Sequence, residues 1–121
     1  MEKEDQNMIK HLEKETDFNE IVKQGNVVVD FFATWCGPCR MMGRILEEIE
    51  KDYPAITFLK VDTDTFGQIA MAFGVSSIPT LIAYKDGKRV ALMENGKPHG
   101  ELLGSRPTDD FRLILDDTFS N

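Results

Sequence analysis

Cys36 and Cys39 are the only cysteines in the 121-residue chain, and they stand three positions apart within Trp35-Cys36-Gly37-Pro38-Cys39-Arg40. Residues three apart on a helix share a face, with Cβ atoms about 5–6 Å apart. A disulfide needs about 3.5–4.5 Å, so a small local adjustment opens or closes the bridge without unfolding a domain. A cysteine at a helix N-terminus meets unpaired N–H groups and the positive end of the helix dipole. Both pull a thiol pKa below its free value of about 8.5 and supply the thiolate that attacks disulfides. Cys36 is expected at that position, and Cys39, one turn further in, should be shielded from solvent. Pro38 has no N–H and a φ suited to the first helical turn, so it stiffens the start of the helix. A Cys-x-x-Cys pair can instead be half of a zinc site. The remaining ligands would have to be His11 and His99, neither at finger spacing, so no metal is expected.

Asp30 lies six residues before Cys36, among Val27-Val28-Val29 and Phe31-Phe32. Without an adjacent cation, desolvation would raise its pKa and make it a proton acceptor near neutral pH. The alternative is a buried carboxylate satisfied by backbone or by a lysine. Both readings stay open at this level.

The elements that must hold these groups follow from the hydrophobic pattern. Residues 27–32 are β-branched and aromatic on both alternating faces, which predicts a central strand covered on both sides. Met42, Ile45, Leu46 and Ile49 continue from the cysteine turn at helical spacing, with Arg44–Glu48 and Glu47–Lys51 on the outer side. A strand at 8–12 and strands at 56–61, 80–84 and 88–92 are expected, the last two joined by an Asp86-Gly87 hairpin turn. Asp17 with Glu20 and Thr65 with Gln68 read as capping pairs opening two further helices, stopped at Gly25 and Gly74. A last helix starts near Pro107 or Thr108 and turns Phe111, Ile114 and Leu115 inward. The order β-α-β-α-β-α-β-β-α predicts an α/β fold, a mixed parallel and antiparallel sheet with helices on both faces.

The 14 Lys and Arg against 21 Asp and Glu give a net charge of −7, scattered and without a basic run, so nucleic acid is not an expected partner. The longest apolar run, residues 69–73, is too short to span a membrane. The first fifteen residues are polar and acidic, unlike a signal peptide, which points to the cytoplasm. No repeat or linker divides the chain. One domain over residues 7–121 is expected, preceded by a charged tail at 1–6, and a monomer.

The string Val29-Asp30-Phe31-Phe32-Ala33-Thr34-Trp35-Cys36-Gly37-Pro38-Cys39-Arg40, with Ile78-Pro79-Thr80 about forty residues on, resembles the thioredoxin family. The resemblance covers about residues 7 to 119 and implies the thioredoxin fold. It implies that Cys36 is the nucleophile, Cys39 the resolving cysteine, and Asp30 the buried aspartate that handles the proton of Cys39. Lys60, in Leu59-Lys60-Val61-Asp62, matches a lysine that modulates that aspartate, and Pro79 matches a cis-proline beside the cysteines. Trp35, Ile78, Pro79 and Gly104 would line the apolar patch that receives an extended substrate segment, with Gly37 and Pro38 supporting the cysteine turn. The implied activity is protein-disulfide reduction by thiol–disulfide exchange, an electron-carrier role in cell redox homeostasis. It needs no bound cofactor, only disulfide-containing protein substrates and a thioredoxin reductase that uses NADPH. The alternatives are an oxidase or isomerase of the same fold, and a partner-binding module without redox function.

Two departures stand out. Arg44 replaces a helix-kinking proline common in the family, so a straighter helix is expected. Between Gly87 and Gly104 the family needs about half the separation, so residues 93–101 look inserted, as an extra loop or a hairpin turned by Asn95-Gly96. The insertion either reshapes substrate or reductase docking or is a tolerated surface loop.

Overall fold

The computed structural model describes residues 9–120; the expected tail at 1–6 and the first residue of the expected 8–12 strand lie outside them. Strands β1 (Ile9–His11), β2 (Asn26–Phe32), β3 (Ile56–Asp62), β4 (Thr80–Lys85) and β5 (Lys88–Val90) form one sheet in the order β1-β3-β2-β4-β5. β2 is central, parallel to β3 and antiparallel to β4. Its side chains alternate faces, as a pleated strand requires. Val27, Val29 and Phe31 pack with helices α1 (Phe18–Val22) and α3 (Gly67–Ala72). Val28 packs on the opposite face with α2 (Gly37–Ile49) and α4 (Thr108–Phe119). The outcome is the helix–sheet–helix sandwich expected from the run of apolar residues in β2.

α2 runs unbroken through Arg44 before a short 3₁₀ turn at Glu50–Asp52. Met42, Ile45, Leu46 and Ile49 all face the core. Two expected caps are absent. Asp17 precedes α1 with no side-chain bond to the helix, and a 3₁₀ turn at Glu15–Asp17 leads in instead. α3 begins at Gly67 after Phe66, without a cap from Thr65. Asp62 Oδ1 instead accepts from the N–H groups of Asp64 and Thr65 in the turn ahead of the helix.

The expected strand at 88–92 is cut in two. β5 ends at Val90, and Leu92 belongs to β6 (Leu92–Glu94), which pairs with β7 (Lys97–His99) as a separate hairpin. Asn95 and Gly96 turn it with φ of 54° and 78°, the left-handed pair that an Asn-Gly hairpin turn supplies. The chain then returns to β4 as β8 (Leu102–Leu103). Continuing the Lys85↔Lys88 register would bring Met93 opposite Thr80, yet Thr80 faces Leu103, ten residues on. The sheet edge beside β4 is thus one strand interrupted by ten residues. The interruption folds against α4: Leu92 is buried in the α2–α4 core, and the Met93 N–H donates to Thr118 Oγ1 at 2.9 Å.

Candidate active site

Cys36 is the N-cap of α2, in extended backbone, and its sulfur accepts the Cys39 N–H at 3.2 Å. The Cys36 N–H donates to the Ala33 carbonyl and its own carbonyl accepts from Arg40 N–H. Pro38 sits in the first turn, where its missing N–H costs nothing. The two cysteines are joined by a disulfide with Cα atoms 5.2 Å apart. Cys39 is 1% exposed and Cys36 5%, so the inner cysteine is shielded as expected and the outer one is buried almost as fully. Arg40 reaches back with Nη1 to the Thr34 carbonyl, bracing the turn.

Around the pair lies a strip of chain from three directions. Trp35 is 68% exposed, and its indole N–H donates to Asp64 Oδ2 at 2.9 Å. The Ile78–Pro79 peptide is cis, and the Ile78 carbonyl oxygen lies 3.8 Å from Cys36 Sγ. The Gly104 N–H donates to the Pro79 carbonyl at 2.8 Å, with Gly104 at φ +87°, a conformation costly for any side chain. Gly104 therefore comes beside Pro79 even though a hairpin intervenes in sequence.

Asp30 and Lys60 are register partners across the parallel β2–β3 pair. Asp30 shares its face of β2 with Val28 and Phe32, the face covered by α2. It is fully buried, and neither carboxylate oxygen has a hydrogen bond. The Lys60 ammonium stands 3.6 Å away, an ion pair beyond hydrogen-bond length, and lies over the Phe32 ring at 4.5 Å. Burial pushes the Asp30 carboxyl up to about 6, with Lys60 pulling the other way. Of the two readings left open, hydrogen-bond satisfaction by backbone is excluded and the lysine is present without cancelling the shift. A Cβ on Gly43, one turn past Cys39, would come within 3.1 Å of Lys60 Nζ; a glycine in mid-helix leaves room for the ammonium between α2 and the sheet.

Sequence reasoning passed over Asp64, Gly43 and Arg106. Asp64 and Gly43 carry no local pattern of their own. Arg106 forms a two-bond pair with Glu94 in the hairpin. His11 and His99 are not brought together with the cysteines. Among the described residues no group of His, Cys, Asp or Glu is arranged to hold a metal, and no helix is long and apolar enough to cross a membrane.

Residues 8–108 match the family model described as Thioredoxin. The chain is 51% identical to a thioredoxin of Chlamydia muridarum over 74 residues, 61% of this chain and 72% of that relative. Thioredoxin-1 of Saccharomyces cerevisiae is 39% identical over 92 residues, 75% of this chain and 89% of the relative. Among solved structures, mitochondrial thioredoxin 3 of S. cerevisiae in its oxidised form superposes with a TM-score of 0.73 at 34% identity, covering 93% of this chain and 98% of its own.

Proposed function

The chain belongs to the thioredoxin family, and from that premise we propose how its residues divide the work. It is a protein-disulfide reductase acting by dithiol–disulfide exchange through Cys36 and Cys39. In the dithiol form Cys36 is the nucleophile, its thiolate favoured by the α2 N-terminus and by the Cys39 N–H. It attacks one sulfur of a substrate disulfide. A Cys36–substrate bond forms, the substrate S–S bond breaks, and the other substrate sulfur leaves and takes up a proton. Cys39 gives its proton to the Asp30 carboxylate and attacks Cys36. The Cys36–Cys39 bond forms, the second substrate thiol departs, and two electrons have moved from protein to substrate.

Asp30 suits the acceptor role because a carboxyl near 6 is poised close to neutral pH. Lys60 keeps that carboxyl from rising further. Trp35, Ile78, Pro79 and Gly104 form the docking strip for an extended substrate segment, while Gly37 and Pro38 shape the cysteine turn. The dithiol is restored by a flavoprotein thioredoxin reductase drawing on NADPH. The protein works as a monomeric electron carrier in cytoplasmic redox homeostasis, as one domain over residues 7–121. The redox couple is the cysteine pair itself.

The observation that carries this reading is the disulfide at the start of α2, 3.8 Å from the carbonyl that precedes cis-Pro79. Equilibration with defined thiol buffers tests it. Thioredoxins in general sit near about −270 mV, isomerases near about −180 mV and strong oxidants near about −120 mV. A potential near the lowest value is expected; one above about −200 mV overturns the direction of electron flow in favour of an oxidase or isomerase.

A further inference from the structure

The ten-residue interruption of the sheet edge leaves β8 only two residues long, paired through Thr80↔Leu103 and Leu81↔Leu102. A two-residue strand holds weakly by its own ladder bonds. Yet it leads directly into Gly104, whose N–H meets Pro79 beside the cysteines. The segment 103–105 is secured from outside the sheet. Arg106 Nη1 donates to three successive carbonyls, Leu103 at 2.9 Å, Gly104 at 3.3 Å and Ser105 at 3.4 Å. The same guanidinium donates from Nε and Nη2 to the two oxygens of Glu94, at 2.6 and 3.1 Å. Both side chains are more than three-quarters shielded, so the pair is less screened than one on open surface. Glu94 is the last residue of β6, within the insertion itself.

We propose that Arg106, held by Glu94 of the inserted hairpin, is a positioning residue for substrate docking, fixing the Leu103-Gly104-Ser105 backbone against the cis-Pro79 strip before a protein disulfide arrives. This rests on the reading that the strip receives the substrate. The physical gain is preorganisation: a segment already immobile does not have to be ordered when the substrate binds. Only a planar donor fork can grip a carboxylate and three backbone carbonyls at once. The insertion that cuts the sheet edge thus also supplies the clamp for the loose end it creates.

The test uses the full reduced chain in single-turnover oxidation by insulin, as a protein disulfide, and by dithiobis(nitrobenzoate), as a small one that needs no docking strip. Glu94→Gln and Arg106→Gln are expected to raise the half-saturating insulin concentration roughly three- to tenfold. The limiting rate and the rate with the small disulfide should hold. The double variant should be no worse than Arg106→Gln, because Glu94 acts only through the guanidinium. Equal slowing with both disulfides, or no change with either, overturns the proposal. Glu94→Gln removes the charge that holds the guanidinium while keeping Arg106 itself, so the test survives poor folding of Arg106→Gln. Trp35→Ala, at the exposed residue of the docking strip, separates the two ideas. If it leaves insulin half-saturation unaltered, the docking reading fails; if it raises it while Glu94→Gln does not, only the clamp fails.

Discussion

Asp30 is a carboxylate with no hydrogen bond to either oxygen, facing the helix that carries both cysteines. Its folded-state carboxyl lies at about 6 against an ordinary 3.8, a difference worth up to about 3 kcal/mol. The shift is upward for an acid, so the sign is unfavourable to folding at neutral pH. Below the ordinary value both folded and unfolded chains hold the proton and the group is neutral to stability. As pH rises from about 3.8 the unfolded chain ionises first, and the cost is complete once the folded carboxyl has also ionised, above about 6. Asp30→Asn mimics the protonated form at every pH. In urea unfolding of the disulfide form, it should gain little over the parent at about pH 4 and up to about 3 kcal/mol at about pH 7.5. A gain that does not change with pH would remove the buried charge as its cause. The same variant should slow release of substrate from the Cys36 mixed disulfide while sparing the first attack. That cost would show why a destabilising carboxylate is present in an otherwise apolar layer.

Among the elements, the β6–β7 hairpin makes the sharpest local statement. Asn95 and Gly96 both have positive φ, and a Cβ on Gly96 would meet nothing within 4 Å. Gly96→Ala therefore tests backbone conformation alone, without a clash. It should cost about 1 kcal/mol, read as a lower urea midpoint at unchanged slope. No change would mean that the turn relaxes without cost. The hairpin was legible because Asn-Gly demands a particular backbone. The caps at Asp17 and Thr65 were misread because a capping residue works only if the preceding chain arrives at the right angle. Here a 3₁₀ turn precedes α1, and Asp62 already binds the N–H groups leading into α3. The strand at 88–92 was misplaced for a related reason: the apolar run Val90-Ala91-Leu92 continues without a break although the partner strand changes within it.

For the whole molecule, the register identifies which residues interrupt the sheet edge. Removing residues 92–101 joins Ala91 to Leu102 and keeps both the Ala83↔Val90 and the Leu81↔Leu102 pairings. The shortened chain should fold with the same sheet order. It loses buried Leu92 and the cover over α4, at a cost of about 2–3 kcal/mol. The reduction potential of the cysteine pair should be unchanged, since no inserted residue touches either sulfur by hydrogen bond. Loss of cooperative unfolding would show that the hairpin is part of the core rather than an addition to it.

The sequence by itself determined what depends on a residue's own conformation or its neighbours along the chain. That includes the cysteine pair at a strand-to-helix junction, the Pro38 start, the two left-handed hairpin turns, and a β2 apolar on both faces. Motif resemblance extended this to the family, its fold and its chemistry. The tertiary structure alone decided the partnerships across elements. Periodicity records which side of an element is buried, but it does not record the register against another element. Asp30 meets Lys60 because two parallel strands align thirty residues apart. Trp35 finds Asp64, and Gly43 makes room for an ammonium, through the packing of α2 on the sheet. The grip of Glu94 on Arg106 exists only because a strand leaves the sheet edge and returns to it ten residues later.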